Sequence, residues 1–309
     1  MYLDGAGVYK DAVQAFEWFR KAAVQGYALA QYDLGVMYEK GTGVSKDVVQ
    51  AFQWVHKAAS QGDTQAQCYL GVMYETGRGV PKDVVQACQW YHKAAIQGNA
   101  DAQCNLGVMY AEGIGVPKDD GQANEWYRKA TAQGQTGAQC NLGVVYERGV
   151  GVPKDAVQAC KWYRKAAILG NAQAQFRLGV MYDNGTGVPK NAIQAWEWYR
   201  RAAAQSYVYA QYALGVMYNE GTSRPKDAVR ASSWFQKAAV QGHALAQYNL
   251  GVMYEDGAAG VPKDVSLALY WYKKAALQEN ELAKTKLENM PEMDSASLDT
   301  GKKVGMGRF

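Results

Sequence analysis

Residues 28–62 read ALAQYDLGVMYEKGTGVSKDVVQAFQWVHKAASQG, and this stretch returns along the chain with a step of 36 residues. LGVMYE starts at Leu34 and again at Leu70. Variants start at Leu106, Leu142, Leu178, Leu214 and Leu250. A tryptophan marks the same period at Trp18, Trp54, Trp90, Trp126, Trp162, Trp198 and Trp234. The final step, to Trp271, is 37, because GAAGVPKD at Gly257 to Asp264 carries one extra residue. Such self-similarity belongs to arrays in which each unit buries its apolar face against its neighbours.

Each unit reads as two helices. In the first, Ala30, Leu34, Met37 and Tyr38 follow a helical face. The expected helix runs from Ala30 to Lys40 and stops at Gly41, a left-handed cap. The Gly-rich link that follows precedes Asp47, an expected N-cap with Gln50 as its capping-box partner. The second helix is expected from Val48 to Gln61, with Ala51, Trp54, Ala58 and Ala59 as its apolar stripe. Gly35, Ala30, Ala51 and Ala58 let the two backbones approach, and Tyr38 and Trp54 are expected to fill the gaps between layers.

These residues resemble the Sel1-like repeat, a relative of the tetratricopeptide repeat. The shared pattern is Ala, Leu-Gly, Tyr, Gly-x-Gly-Val, Asp, Ala, Trp and Lys-Ala-Ala, in order. The resemblance implies an all-α fold: a right-handed α-solenoid (α/α superhelix) of antiparallel helix pairs, first helices lining the concave side. The expected solenoid spans 1–290: a half repeat at 1–27, seven full repeats at 28–279 and a capping helix at 280–290. Residues 291–309 are expected to form a flexible tail. Met1 and Tyr2 align with Met37 and Tyr38, so the half repeat opens within a first helix and is expected to leave Trp18 and Phe19 partly uncovered for end-to-end self-association.

Composition narrows the function. The net charge is only +4, against nucleic acid as a partner. No apolar run is long enough for membrane insertion. The N-terminus MYLDGAGVYKD lacks a signal-peptide pattern. As written the chain points to the cytoplasm, or to the periplasm or exterior if a signal has been removed. Cys68, Cys104 and Cys140 occupy one repeat position and Cys88 and Cys160 another. Large aromatics such as Tyr32 and Phe52 fill these positions elsewhere, so buried free thiols are expected.

No residue pattern points to a catalytic, cofactor or metal site. His56 and His92 share a helix-face position that other units fill with Arg, and His243 falls in a loop. The paired glycines precede Val-Pro-Lys-Asp, not the Gly-Lys-Ser/Thr of a phosphate loop. Cysteine-rich relatives associated with β-lactam hydrolysis suggest a weak hydrolase as an alternative, but the second-helix cysteine of their pair is Ala59, Ala95 or Thr131 here.

The expected function is therefore a non-enzymatic scaffold for a protein or peptide partner, the alternative within binding being a secreted or periplasmic factor that engages a host protein. Binding positions should drift where scaffold positions repeat. Two drifting series lie on the first helix, and the resemblance places both in the groove. From the residue before Leu-Gly come Asp33, Tyr69, Asn105, Asn141, Arg177 and Asn249; from four residues earlier come Asp101, Gln173 and Tyr209. A Val stripe (Val36, Val72, Val108 and equivalents) runs beside them. The stretch 204–226 is the least regular: Ser206 replaces a helix-ending Gly, and the turn at 221–225 loses its second Gly and its Val.

Overall fold

The structure, a computed structural model, describes residues 11–290. Among these residues it has sixteen helices and no strand, an all-α solenoid of 36-residue helix pairs. Met1, Tyr2 and the 291–309 segment lie outside the described residues. The chain falls into two compact units, Met1–Asp155 and Ala156–Phe309.

Unit 1 holds α1 (Ala12–Val24), α2 (Ala28–Lys40), α3 (Val48–Ser60), α4 (Thr64–Thr76), α5 (Val84–Ile96), α6 (Ala100–Glu112), α7 (Asp120–Ala132) and α8 (Thr136–Arg148). Unit 2 holds α9 (Ala156–Ile168), α10 (Ala172–Asn184), α11 (Ala192–Ala204), α12 (Val208–Glu220), α13 (Ala228–Val240), α14 (Ala244–Asp256), α15 (Val265–Ala276) and α16 (Glu281–Asn289). Even-numbered helices from α2 to α14 are the first helices of the repeats. Each packs on the odd-numbered helix on either side of it within its unit. The first helix starts two residues earlier than expected, at Ala28, and the second ends at Ser60, with Gln61 as its cap.

Capping fixes where each helix begins. Asp47 Oδ1 accepts from the Val49 and Gln50 N–H groups, both at 3.0 Å, satisfying donors that no helical carbonyl can reach. The reciprocal half of the expected capping box does not form. The Asp47 N–H donates to the Tyr38 carbonyl at 2.9 Å, so it needs nothing from Gln50. That bond ties the turn to the end of α2.

Two glycines set the spacing. Gly79 has φ +70°, and a Cβ there would stand 2.0 Å from the Val48 carbonyl oxygen of the preceding repeat. Gly71, inside α4, faces the Tyr91 ring, which a Cβ would approach to 2.6 Å. The residue that fills the space over the first-helix glycine is thus the one after the tryptophan. Val55 and Tyr272 are fully buried there, and Tyr91 and Phe235 are nearly so. The tryptophan packs between repeats: Trp54 is half-buried against the core of α1 and α2, and Trp90, Trp126 and Trp271 are buried at the equivalent place.

A polar ladder runs through the packed layers. Gln31, Gln67, Gln103, Gln175, Gln211 and Gln247 are buried, and each donates its Nε2 to the last turn of the preceding second helix. Gln103 reaches the Ala95 carbonyl at 3.0 Å and accepts from Gln133 Nε2 at 2.9 Å. A helix C-terminus that would otherwise bury bare carbonyls is thereby satisfied. Beyond the last full repeat, α16 lays Ala283, Leu287 and Met290 against Tyr272 and Ala275 of α15.

Candidate functional site

The first helices carry the drifting positions, and the structure divides the two series by what they touch. In unit 1 the residue before Leu-Gly is half-buried, and Tyr69, Asn105 and Asn141 lie against the preceding repeat. Tyr69 packs edge-on against Tyr32 at 5.9 Å between ring centres. The Asn105 amide lies near the Tyr91 hydroxyl and acts to lower its pKa, while that hydroxyl donates to Glu75 Oε2 at 2.6 Å. Asn141 Nδ2 lies 3.8 Å from Cys104 Sγ. Burial pushes the Asp33 carboxyl up, and the charge of Asp63 adds to that. These side chains join repeats as well as facing outward. Asp101 belongs to the other series and is exposed, with Gln135 Nε2 3.3 Å from its Oδ1.

In unit 2 the same division holds. Arg177 and Asn249 are half-buried, and the Asn249 amide lies near the Tyr212 hydroxyl, where it acts to lower its pKa. Gln173 is exposed, and Tyr209 stands out at 52% exposure. Tyr209 belongs to an aromatic cluster that sequence reading did not assemble. Its ring lies 6.0 Å from Phe176, 5.7 Å from Tyr207 and 5.6 Å from His243. His243 stacks on Tyr212 at 4.5 Å. It is also the N-cap of α14: Nδ1 accepts from the Ala246 N–H at 3.2 Å, so the loop histidine has a structural task. Burial lowers its pKa.

A cavity of about 610 Å³ opens beside α14 in unit 2. Asn249 and Val252, one from the drifting series and one from the Val stripe, both line it. Asn219, Lys226 and Asp256 place amide and charged groups at its wall, and Phe235 and Met253 give it an apolar floor. This mixture suits a polypeptide segment, whose backbone needs hydrogen bonds and whose side chains need apolar surface.

Reactive chemistry has little foothold. All five cysteines are free and buried, and burial first of all pushes the Cys68 and Cys104 thiols up to about 12. A thiol of that kind is a packing group, since the thiolate is the nucleophile. No group of three or more metal-ligating side chains occurs among the described residues, and no helix there is long and apolar enough to cross a membrane.

The Sel1 repeat pattern matches residues 1–27, 28–63, 64–99, 100–135, 136–171, 172–207, 208–243 and 244–280. The chain belongs to the Sel1 repeat family. Proteins built of Sel1 repeats generally mediate protein–protein interaction and are typically non-enzymatic. The chain is similar to a protective antigen present in uropathogenic Escherichia coli strains, which displays an SLR fold. Identity is 40%, 93% of this chain and 61% of that one are covered, and the TM-score is 0.75. The chain thus spans about three-fifths of that relative's length. It is also similar to a Sel1 repeat protein from Oxalobacter formigenes: 38% identity, 90% and 80% coverage, TM-score 0.73. No curated protein sequence matches it.

Proposed function

We propose that this Sel1 repeat chain is a non-catalytic interaction module that holds an extended polypeptide segment along its first helices. The observation that carries the reading is the unit 2 cavity, where Asn249, Val252, Asn219 and Asp256 meet. In unit 2 the contacts are Asn249, Arg177, Gln173 and Tyr209. In unit 1 they are Asp33, Tyr69, Asp101, Asn105 and Asn141. The exposed members, Asp101, Gln173 and Tyr209, select the partner's side chains. The half-buried asparagines keep hydrogen-bonding capacity beyond their present bonds, since each amide offers two donors and an acceptor.

Selection of displayed random peptides on the full chain tests this. Selected peptides should bind the Val252→Asp and Asn249→Ala variants about tenfold more weakly, the loss expected when a buried polar contact or apolar wall is removed. Peptides that bind both variants and the parent equally would refute the groove assignment. The 40% identity with a protective antigen favours a second reading, in which the partner lies outside the producing cell. Protease treatment of intact cells that leaves the chain untouched would remove it.

A further inference from the structure

The charges of the chain are sorted by helix. In unit 2 the even-numbered helices from α10 to α14 carry four acidic residues and one basic, whereas α9, α11, α13 and α15 carry one acidic and nine basic. Eight of those nine lie on one face. They are Lys161, Arg164 and Lys165 on α9 and Arg200 and Arg201 on α11, continued by Lys237 on α13 and Lys273 and Lys274 on α15. All eight are exposed. They stand one residue before, or two or three after, each second-helix tryptophan, which turns them away from the buried alanines. Glu197 is the single acid on the face, and none of the eight forms an ion pair among the described residues.

Two further features share this face. Aromatic rings sit under the cations: Lys165 Nζ lies 4.3 Å from the Trp162 ring centre, Lys237 Nζ 4.2 Å from Trp234, and the Arg201 guanidinium 4.6 Å from Trp198. Large aliphatic side chains stand beside them at the helix ends. Ile168, Val240 and Leu277 are 67%, 72% and 84% exposed. Unit 1 keeps lysines over tryptophans at Lys21, Lys57 and Lys93 but differs in charge: α1, α3, α5 and α7 carry six basic and three acidic residues, and Arg20 and Lys129 are answered by Glu17 and Glu125 at 3.5 and 2.7 Å.

We infer that the outward face of α9, α11, α13 and α15 is a docking face for an anionic phospholipid bilayer. The cations are spread over four helices and do not converge on a point, so they fit a diffuse layer of negative charge better than a discrete anion. Trp and Tyr rings among cations suit the headgroup zone. The aliphatics separate the candidates: Ile168, Val240 and Leu277 gain free energy where acyl chains begin and nothing against a sugar-phosphate backbone. Contact here is peripheral and leaves the first-helix groove open for a polypeptide.

Sedimentation of the full chain with vesicles provides the test. Phosphatidylcholine vesicles containing phosphatidylglycerol should carry the chain down at low salt, pure phosphatidylcholine vesicles should not, and added salt should release it. Each cation near such a surface contributes about fivefold in binding, so the variant Lys161→Glu/Lys165→Glu/Lys237→Glu should bind at least about 100-fold more weakly. The variant Ile168→Ser/Val240→Ser/Leu277→Ser should also bind these vesicles more weakly. All six positions are exposed, so circular dichroism should match the parent. Equal sedimentation with both lipid mixtures, or parental binding by the glutamate variant, would overturn the inference. Unchanged vesicle binding by the serine variant, together with equally strong binding to duplex DNA, would overturn it in favour of a nucleic-acid surface. Displacement from vesicles by polyglutamate at matched charge concentration would overturn it in favour of an acidic protein.

Discussion

The repeat at 64–99 and the stretch at 204–226 have the same plan and differ in how well it is satisfied. In the first, Gly77 and Gly79 take left-handed conformations, and Gln67 reaches the Ala59 carbonyl at 3.2 Å. In the second, Ser206 holds φ +61°, a conformation that costs a residue with a Cβ about 1 kcal/mol. Gln211 stretches to 3.5 Å from the Ala203 carbonyl. Ser223, where the second turn glycine would stand, leaves its Oγ buried with no hydrogen-bond partner, as does the Nε1 of Trp196. Added contacts offset these losses. Arg224 lies 4.4 Å over the Trp196 ring, and Tyr207 and Tyr209 pack with Phe176. A solenoid tolerates a flawed junction because each repeat is held mainly by its neighbours.

The sharpest way to break the comparison is at the turn. Gly79→Ala would place a Cβ 2.0 Å from the Val48 carbonyl oxygen in a left-handed residue. Strain and displacement together should cost about 3 kcal/mol. Ser223→Gly, at the matching place in the other stretch, should cost nothing, because it removes a buried unpaired hydroxyl. Urea unfolding read by circular dichroism would report both, and equal midpoints for the two variants would show that the turns are not under different constraint.

The ladder gives a smaller contrast. Gln103→Ala removes bonds of 3.0 and 2.9 Å and leaves the Ala95 carbonyl buried, a loss of about 2 kcal/mol. Gln211→Ala gives up the 2.7 Å bond from Gln241 but only a stretched 3.5 Å bond to Ala203, so it should cost somewhat less, about 1.5 kcal/mol. The same unfolding measurement sets the order, and a larger loss at Gln211 would reverse the account of which stretch is better satisfied.

This ladder marks where sequence reading stopped. The period, the helix pairs, the aspartate caps and the buried thiols follow from local pattern, since apolar spacing and cap chemistry act within a few residues. Gln103 does not announce itself. On its own helix it is one polar residue among others, and its role depends on the end of a helix eight residues back in the chain folding against it. The same limit affected Tyr91, whose burial depends on Gly71 across the pair, and Gln50, whose expected bond was taken by Tyr38. In the candidate site the drifting series were legible as series. That one series is half spent on Tyr32, Tyr91 and Cys104 was not, because those partners belong to the preceding repeat.

The smallest expected effect lies at the far edge of the flawed stretch and depends on pH. Asn99 and Asn171 cap their helices through an amide oxygen at 2.8 Å, but α14 relies on Nδ1 of His243. That nitrogen accepts only while the ring is neutral, and burial between Tyr212 and Tyr209 lowers the ring's pKa below its ordinary 6.5. The folded state therefore binds this proton less readily than the unfolded chain. Its contribution is complete above the unfolded value and is lost as pH falls through the lower folded one. Acidification from about pH 7.5 to about pH 5 should cost the parent about 1 kcal/mol at this cap, and His243→Asn should remove that increment. Carboxylates titrating elsewhere contribute equally to both proteins, so the difference between their thermal unfolding curves isolates the histidine. An identical pH slope in parent and variant would mean that the stacked ring, not its nitrogen, is what holds α14 in place.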